Sequence, residues 1–314
     1  MSTPRIALVT VAAARALDED LAPLASALRE AAADVAIVDW DDDGFDWGRV
    51  DAAVLRSPWD YTDRPAEFLD WAERTAARTR LLNPPDVLRW NTDKHYLADL
   101  ARAGVAIVPS TFVEPGVDAI AALAAFLDTT ACAEFVVKPC IGAGSRDAQR
   151  HRRTQVDAAG AHARRLLDAG RSVLLQPYLD RVDEHGETAL VFFDGAYSHA
   201  IRKGPLLRTG EGSTDALFAA EDIRPREPDA AEHALARQAL AAIPFAAPLA
   251  YARVDLIHDA DGSPRLLELE LAEPSLFFAH GAGSAARFAR VLLARAGGRR
   301  GRSIRAGHGV STPA

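Results

Sequence analysis

Three carboxylates and one arginine stand on two apolar segments in the last third of the chain. Arg253 and Asp255 lie on the first segment, and an Asp-Gly dipeptide at 261–262 separates them from Glu268 and Glu270. If this dipeptide forms a two-residue hairpin loop, Asp255 lies opposite Glu268, and the other two side chains face each other on the same side. Asp255, Glu268 and Glu270 are called the three carboxylates below. Burying such a cluster of negative charge is costly without a cation, and carboxylate oxygens suit Mg²⁺. A solvent-facing strand of mixed charges is the alternative.

Lysine is rare in a chain that uses arginine freely. Of its 36 Lys and Arg residues, only Lys94, Lys138 and Lys203 are lysines. Because the planar arginine fork cannot replace a compact ammonium group everywhere, a lysine retained in this composition is predicted to serve a site. Chance retention on a solvated surface is the alternative. The only two asparagines, Asn83 and Asn91, lie close to the first of these lysines.

A predicted strand ends at Lys138 and continues into a segment with Gly142, Gly144 and Ser145, called the glycine loop below. Glycines after a strand let backbone N–H groups turn toward an anion, and a lysine at the strand end adds positive charge. The spacing lacks the Gly-Lys-Ser/Thr of a Walker loop and the third glycine of a dinucleotide-binding loop. Taken alone, the loop fits a phosphate site and an ordinary hairpin loop equally well.

A second predicted strand ends at 176–179, whose residues Gln176, Tyr178 and Leu179 are called the hinge below. The remaining residue, Pro177, cannot donate a ladder hydrogen bond, so this segment is predicted at a sheet edge or a hinge. A hinge could offer backbone groups to the edge of a base, with an apolar slot beside it. A buried strand end is the alternative interpretation.

Two further strand ends carry groups that suit anionic ligands. Arg202 and Lys203 end one strand, where cations could neutralise a phosphoryl group in transfer. Arg56, Ser57 and Asp60 follow the third predicted strand. Because ligands bind at the carboxyl ends of parallel strands, Arg56 could hold a substrate carboxylate through two hydrogen bonds. It could equally cap a helix or pair with Asp60.

The elements that would position these groups alternate in type along the first third of the chain. Short apolar strands are predicted at 5–11, 35–39 and 51–56, with helices at 18–33 and 65–80. This order predicts a βαβ lobe with a parallel sheet. The prolines at 84 and 85 are predicted to end the lobe, and a helix at 92–103 to begin the next one.

The remainder of the chain is predicted to form two more lobes. Strands are predicted at 134–139, 173–179, 187–193, 197–203, 250–258 and 265–271, and helices at 156–169 and 229–242. The fold class is therefore α/β, built of α+β lobes. The predicted divisions are an N-terminal βαβ lobe at 1–90, a central lobe at 91–180, a C-terminal lobe at 181–296 and a disordered tail at 297–314.

Composition restricts the class of protein. With 314 residues, 49% of them apolar and 25% charged, the chain is typical of a globular protein with two or three lobes. The net charge of -8 argues against a general nucleic-acid binder. The spacing of Cys132 and Cys140 predicts neither a disulfide framework nor a zinc site. No segment resembles a signal peptide or membrane span, so we predict a cytoplasmic protein without nucleic-acid or membrane partners.

Taken in order along the chain, these motifs resemble the ATP-grasp ligases, and most of all their glutathione-synthetase-like branch. The resemblance runs from about residue 5 to residue 295 and rests on 91–94, 137–139, 176–179, 202, 253–255 and 268–270. It is closer still to the cyclo-ligases of cycloserine biosynthesis at 56–61, 138–146, 176–179, 198–204 and 268–275. The implied fold is the ATP-grasp fold with an N-terminal βαβ lobe.

The resemblance implies how a nucleotide would be held. Lys94 and Lys138 resemble the lysines that contact the phosphates from opposite sides. The glycine loop resembles the segment that closes over the γ-phosphate, and the hinge resembles the segment that grips adenine. Glu187 resembles the acid that binds the ribose hydroxyls. ATP is therefore the expected cofactor.

The resemblance also implies a metal site and a substrate site. The three carboxylates resemble the Mg²⁺ ligands, although the family often has asparagine where this chain has Glu270, which makes this site more negative. Arg202 resembles the arginine near the acyl phosphate, and Lys203 and Arg253 are further catalytic candidates. The predicted substrate-binding residues are Arg56, Ser57, Asp60 and Ser275.

The implied activity is an ATP- and Mg²⁺-dependent ligation that releases ADP. A carboxylate of an amino-acid-like small molecule would become an acyl phosphate, which a nitrogen nucleophile then attacks. In a cyclo-ligase this nitrogen belongs to the same molecule, as in the closure of O-ureido-D-serine to D-cycloserine; in the alternative, a second amino acid or peptide supplies it. A non-catalytic ATP-binding protein and a nicotinamide-dependent oxidoreductase are the other candidates, and a homodimer is compatible with the sequence.

Overall fold

The first lobe of the computed structural model, which describes residues 3–207, 222–245 and 249–297, contains a parallel sheet. Its elements are β1 (Arg5–Thr10), α1 (Leu21–Glu30), β2 (Asp34–Asp39), β3 (Ala52–Ser57), α2 (Pro65–Arg78) and β4 (Arg80–Leu82). The strands are ordered β2-β1-β3-β4, and all neighbours are parallel. The predicted βαβ lobe is confirmed, because β1 and β3 are the buried apolar runs that a covered parallel sheet requires.

The second sheet is antiparallel and follows two short helices. The elements are α3 (Pro85–Asn91), α4 (Tyr96–Arg102), β5 (Thr111–Val113), α5 (Ala119–Thr129), β6 (Glu134–Pro139), β7 (Gln149–Arg152), α6 (Val156–Asp168) and β8 (Val173–Pro177). The strand order is β5-β8-β6-β7. Phe126 of α5 and Phe135 of β6 lie in the core that this sheet shares with α5 and α6.

The third sheet is antiparallel as well and occupies the C-terminal part of the chain. The elements are α7 (Arg181–His185), β9 (Glu187–Phe193), β10 (Ala196–Lys203), β11 (Ile223–Pro225), α8 (Ala230–Ala241), β12 (Tyr251–His258), β13 (Pro264–Glu270) and α9 (Ser284–Gly297). The strand order is β11-β10-β9-β12-β13. Each sheet falls within one predicted lobe, but the lobe boundaries themselves stay a prediction.

The last helix, α9, was not predicted and returns the chain to the first lobe. It packs against α1, with Phe288 and Leu24 in one buried cluster. Residues 298–314, which make up the predicted tail apart from its first residue, lie outside the described residues. Within the described ranges, every helix is too short or too polar to cross a membrane.

The stretch predicted as one helix at 92–103 is helical only from Tyr96. The chain turns between α3 and α4, where the backbone N–H of Lys94 donates to the carbonyl of Cys140 (3.0 Å). The Asp93 carboxylate accepts from the backbone N–H of His95 (3.1 Å) and stabilises this turn. Lys94 therefore lies on a turn rather than on a helix, and the prediction of one continuous helix is wrong.

The hairpin that carries the three carboxylates has a longer loop than predicted. Residues 259–263 join β12 to β13, so the prediction of a two-residue loop is wrong. A β-bulge compensates, because Asp255 pairs with Glu268 while the next residue, Leu256, pairs with Leu266. The extra residue on β13 restores the predicted register, and the acids pair as expected.

The hinge begins where strand β8 loses one of its two neighbours. Strand β8 lies between β5 and β6, but its pairing with β5 ends at Leu175, whereas its last residue, Pro177, is still paired with Phe135 of β6. Gln176 and Pro177 are therefore paired on one side only, in agreement with the predicted edge or hinge. Proline is tolerated here because the strand ends at this residue. The next residue, Tyr178, donates its backbone N–H to the carbonyl of Glu134 (2.9 Å) as the chain leaves the sheet.

The two asparagines fasten the carboxylate hairpin to the preceding lobes. Asn83 donates from its side-chain amide to the carbonyls of Tyr251 (3.0 Å) and Leu271 (2.9 Å). Asn91 donates to the carbonyl of Leu269 (2.7 Å) and accepts from the N–H of Leu271 (2.7 Å). Both side chains are buried, so these bonds are protected from competition with water.

Candidate active site

One cavity opens between the three lobes, and most of the predicted site residues line it. The predicted residues on its wall are Lys94, Lys138, Gly142, Gly144, Ser145, Gln176, Tyr178, Leu179, Glu187, Lys203, Arg253, Glu268, Glu270 and Ser275. Asp255 lies directly beside this wall and is bonded to Arg253 and Lys203. Residues far apart in the sequence are thus brought to one site.

Arg202 lies outside the wall. It donates to the carbonyls of Glu184 (3.2 Å) and His185 (2.9 Å) at the end of α7. Neighbouring residues on a strand point to opposite faces, and on β10 the cavity side is taken by Lys203. The predicted catalytic role of Arg202 is therefore not supported by a cavity position and stays a prediction.

The predicted substrate residues of the first lobe also lie outside the wall. Arg56 is fully buried and donates to the carbonyl of Pro274 (2.9 Å), beside the cavity residue Ser275. The Ser57 side chain is buried as well, and Asp60 accepts from the indole N–H of Trp40 (2.8 Å). Arg56 is placed to hold the 273–275 segment, and direct substrate contact stays a prediction for all three.

Two lysines approach the cavity from the turn after α3 and from the end of β6. The ammonium of Lys94 lies 2.9 Å from Oε1 of Glu268 and 3.0 Å from the carbonyl oxygen of Gly142. Burial disfavours this charge, but Glu268 raises the pKa of Lys94 above its usual value. For Lys138, burial dominates and lowers the pKa to about 8. A nearby anion would strengthen its charged form.

Asp255 is the most strongly paired acid of the site. It accepts from Nε and Nη2 of Arg253 and from the ammonium of Lys203, each at 2.8 Å. Burial opposes its ionisation, but Arg253 and Lys203 hold the pKa of Asp255 well below its usual value. Lys203 also forms an ion pair with Glu187, and Arg253 forms one with Glu270. Each cation therefore joins two acids.

Burial raises the pKa of Glu187 and of Glu270 to about 8, and repulsion from Asp255 adds to the effect. A divalent cation would relieve this repulsion, because a bound ion reverses the local preference for the protonated acid. Asp255, Glu268 and Glu270 supply only oxygen ligands, which is the donor set that Mg²⁺ prefers. The site therefore fits Mg²⁺, with these three residues as its protein ligands.

The hinge and the glycine loop are held by neighbours from other elements. The Gln176 amide donates to the Ser110 hydroxyl (2.9 Å). The Arg150 guanidinium lies 3.5 Å from the ring centre of Tyr178, within cation–π distance. In the loop, Ser145 has a φ of 59°, in the left-handed region that serine rarely adopts. Apolar residues complete this part of the wall: Val136, Leu179, Ile257, Leu267 and Leu269.

Comparison with known proteins identifies the family. Residues 6–83 match the family model described as D-cycloserine synthetase DcsG, N-terminal domain. The cycloserine biosynthesis protein DcsG of Streptomyces lavendulae is 45% identical over 295 residues, which cover 92% of this chain and 98% of that protein. The chain belongs to the D-cycloserine synthetase family. A crystal structure of D-cycloserine synthetase DcsG matches with a TM-score of 0.88 at 44% identity, covering 93% of this chain and 99% of that chain.

More distant structures share the fold of this synthetase-family chain. The ATP-grasp ligase PsnB, complexed with a minimal precursor, matches with a TM-score of 0.62 at 19% identity, covering 94% of this chain and all of that one. The D-alanine–D-alanine ligase of Bacillus anthracis, complexed with ATP, matches at 0.64 and 15%, covering 94% and 97%. The predicted ATP-grasp fold is confirmed. Together with the similarity to the D-cycloserine synthetases, this fold identifies the chain as an ATP-dependent carbon–nitrogen ligase.

The cavity wall of this synthetase-family chain also contains residues that were not predicted as site residues. Trp59 and Tyr61 reach it from a 3₁₀ turn after β3, and Glu273 reaches it from the stretch after β13. Burial raises the pKa of Glu273 to about 7, and its carboxyl group is hydrogen-bonded to Tyr61. The indole N–H of Trp59 donates to the backbone carbonyl of Glu273 (3.3 Å). The motif at 56–61 indicated this region, but different members of it line the cavity.

Proposed function

We propose that this chain converts O-ureido-D-serine to D-cycloserine by ATP-dependent ring closure. One arrangement supports the chemistry above all: Lys94, Lys138, Glu268 and Glu270 line a single cavity, with Asp255 directly beside its wall. The chain-long similarity to the cycloserine biosynthesis protein DcsG supports the choice of product. The substrate is accordingly a small amino-acid-like molecule. A cytoplasmic location and a homodimer stay predictions from the sequence.

The nucleotide would lie between the second and third sheets. Lys94 and Lys138 would contact the phosphates, where the anion restores full charge to the second lysine. The glycine loop would cover the γ-phosphate with its backbone N–H groups. The hinge would bind adenine beside the apolar residues of the wall, and Glu187 would accept hydrogen bonds from the ribose. All the residues in these assignments lie on one cavity wall.

Magnesium would be held by Asp255, Glu268 and Glu270, together with phosphate oxygens and water. When bound, it neutralises charge that develops on the transferred phosphoryl group. Arg253 keeps Asp255 ionised and in position, and Lys94 does the same for Glu268, whose pKa it lowers against the effect of burial. Arg253 and Lys94 therefore keep two proposed metal ligands in the ionised form that binds Mg²⁺.

The reaction would proceed in two substitutions and one hydrolysis. A substrate carboxylate oxygen attacks the γ-phosphorus of ATP, and ADP leaves with the electron pair of the broken bond. The ureido nitrogen that is bonded to oxygen then attacks the acyl carbon, loses its proton and expels phosphate. Because D-cycloserine has no carbamoyl group, water must also cleave that group, which leaves as ammonia and carbon dioxide.

Substrate contacts are proposed at the part of the cavity wall that Trp59, Tyr61, Glu273 and Ser275 form. Ser275 lies on the wall there, close to Arg253, whose guanidinium donates to the Ser275 carbonyl (3.0 Å). Arg253 and Lys203 are the cations proposed to stabilise the forming acyl phosphate. Arg56 would act through the 273–275 segment that it holds. Arg202 keeps its proposed role only if the cavity changes shape when ligands bind.

An ADP-release assay on the purified full-length chain tests the proposed function. O-ureido-D-serine, its L-enantiomer and mixtures of amino acids are supplied with ATP and Mg²⁺. We expect ADP, phosphate and ammonia in equal amounts with the D-enantiomer, and a product with the mass of D-cycloserine. A product that joins two amino acids would instead establish intermolecular ligation. ATP binding without ADP release from any substrate would indicate a non-catalytic protein.

A further inference from the structure

A second cluster of metal-ligating side chains lies beside the cavity. Asp93 and His95 come from the turn before α4, and Cys140 follows β6 directly. Their carboxylate oxygen, imidazole nitrogen and thiol sulfur lie within 4.8 Å of one another. None of the three is part of the cavity wall, whereas the adjacent residues Lys94 and Pro139 are. The cluster is therefore separate from the three carboxylates but in contact with the same segments.

The His95 imidazole lies between two carboxylates. Its Nδ1 lies 2.6 Å from Oδ1 of Asp93, and its Nε2 lies 2.9 Å from Oε1 of Glu114. Histidine ligands of metals commonly give their other ring N–H to a carboxylate, which fixes the tautomer and the ring. The Ser172 hydroxyl donates to Glu114, and Phe112 stacks on the imidazole at 4.3 Å. The Glu114 carboxylate, which orients His95, is therefore itself held in place.

We propose that Asp93, His95 and Cys140 bind a thiophilic divalent metal ion such as Zn²⁺, with water as the fourth ligand. One sulfur, one nitrogen and one oxygen ligand suit zinc or cobalt and not magnesium. Zinc–ligand bonds are about 2.0–2.3 Å long, so the three ligand atoms, which lie within 4.8 Å of one another, must adjust to surround one ion. The side chains of Asp93 and His95 are 38% and 39% exposed, which leaves the ion a path from solvent.

The thiol makes binding dependent on pH. Because the ion binds the thiolate, the thiol proton must be released, and affinity rises with pH. Cysteine spacing predicted no zinc site because the ligands are distant in sequence. The backbone bond from Lys94 to Cys140 is what brings the turn to the strand end.

A comparable cluster elsewhere in the described residues lacks these properties. Asp229, Glu232 and His258 also have ligand atoms within 4.8 Å of one another. However, Asp229 and Glu232 form the capping box at the start of α8 and bond to its backbone N–H groups. Glu232 also accepts from Thr188, and the Arg226 guanidinium lies 3.8 Å away. Binding a metal ion there would compete with the cap at the start of α8.

An ion in the proposed site would join the segments that carry two cavity lysines. Asp93 and His95 flank Lys94, and Cys140 lies two residues after Lys138. Binding both segments to one ion would restrict the separation of the two ammonium groups. This consequence rests on the proposed function of the lysines in phosphate binding. The binding of the metal ion does not rest on it.

Cobalt titration of the metal-free, full-length protein tests the site. Reductant keeps the thiols free, and excess Mg²⁺ occupies all-oxygen sites without competing for a thiolate. One equivalent of Co²⁺ should produce thiolate-to-cobalt charge-transfer absorption in the near ultraviolet. Cys140→Ser should abolish this absorption, and the matched control Cys132→Ser should retain it. Glu114→Gln should weaken cobalt binding by about 10–100-fold through loss of the orienting carboxylate.

The outcomes separate this proposal from the proposed function. Absence of the charge-transfer band in wild type, or its persistence in Cys140→Ser, would overturn the metal site. Circular dichroism of Cys140→Ser without metal establishes that the variant folds, and His95→Asn, which keeps both thiols, should also bind cobalt far more weakly. A cobalt band in a protein that releases no ADP would reject the ligase assignment and leave the metal site intact.

Discussion

Two parts of the cavity wall differ in how their acids are balanced. In the part called the ion-paired end below, every acid forms an ion pair: Glu268 with Lys94, and the others with Lys203 or Arg253. In the part called the aromatic end below, Glu273 is hydrogen-bonded to the neutral phenol of Tyr61, and Trp59 lies on the same wall. Charges that hold one another are preorganised for an anion and a metal ion. The aromatic end instead depends on its ligand for charge balance.

The largest effect is expected at the ion-paired end. Glu268→Gln removes a proposed metal ligand and the partner of Lys94, so ADP release should fall by about 100–1,000-fold, as when a preorganised charge-stabilising group is lost. The measurement is ADP release at saturating O-ureido-D-serine. Glu67→Gln, on an exposed position of α2, is the matched control and should retain the wild-type rate. A rate for Glu268→Gln within a few-fold of wild type would contradict the metal assignment.

The second test of the ion-paired end replaces a lysine with an arginine, which keeps the charge but changes the shape of the cation. Lys138→Arg should lower ADP release by about 10–100-fold, because a planar guanidinium cannot reproduce a charge-assisted hydrogen bond worth about 1.5–3 kcal/mol from this half-buried position. Arg78→Lys, at an exposed ion pair, is the control and should have no effect on ADP release. Unchanged kinetics for Lys138→Arg would show that any cation suffices and that lysine scarcity was accidental.

The aromatic end should be recognised by its dependence on pH. Glu273 has a pKa of about 7 in the folded protein against 4.5 for an ordinary glutamate. Between these values the folded state binds more protons than the unfolded state, so this residue lowers wild-type stability as pH rises. Glutamine does not ionise, so the melting temperature of Glu273→Gln relative to wild type should increase from pH 5 to pH 8. Thermal unfolding at both pH values measures it, and a constant difference would rule out the raised pKa.

The smallest effect is expected from a single hydroxyl. Tyr61→Phe removes one hydrogen bond to Glu273, worth about 1 kcal/mol, and should raise the KM for the amino-acid substrate about fivefold. The KM for ATP should not change, because the ion-paired end is untouched. Tyr197→Phe, at an exposed site on β10, is the control. Equal increases in both KM values would remove the distinction between the two ends.

The acids of the ion-paired end could be predicted because they stand on strands. The period of a strand places alternate residues on one face, which is why the pairing of Asp255 with Glu268 followed from the sequence. The loop length was nevertheless wrong, and the register agreed only because a bulge compensates. The same period explains why Lys203, and not Arg202, lines the cavity.

The aromatic end could not be predicted in this way. Trp59 and Tyr61 lie on a 3₁₀ turn, and Glu273 lies beyond the last strand pair, where no repeat indicates side-chain direction. The cluster around Cys140 was missed for a related reason, since its ligands come from two loops. Helix α9 was missed although its packing against α1 contributes to the core of the first lobe. Tertiary contacts determine all of these features.

Strand β13, which carries Glu268 and Glu270, is the outermost strand of its sheet. An open strand edge invites pairing with another chain and allows the strand to slip. Here the Tyr96 hydroxyl accepts from the N–H of Leu269 (2.8 Å), and the Asn91 amide donates to the carbonyl of the same leucine (2.7 Å). A slip of one residue would break these bonds and turn both acids to the other face of the sheet. Side chains of two short helices thus protect this edge from aggregation and keep the acids in register.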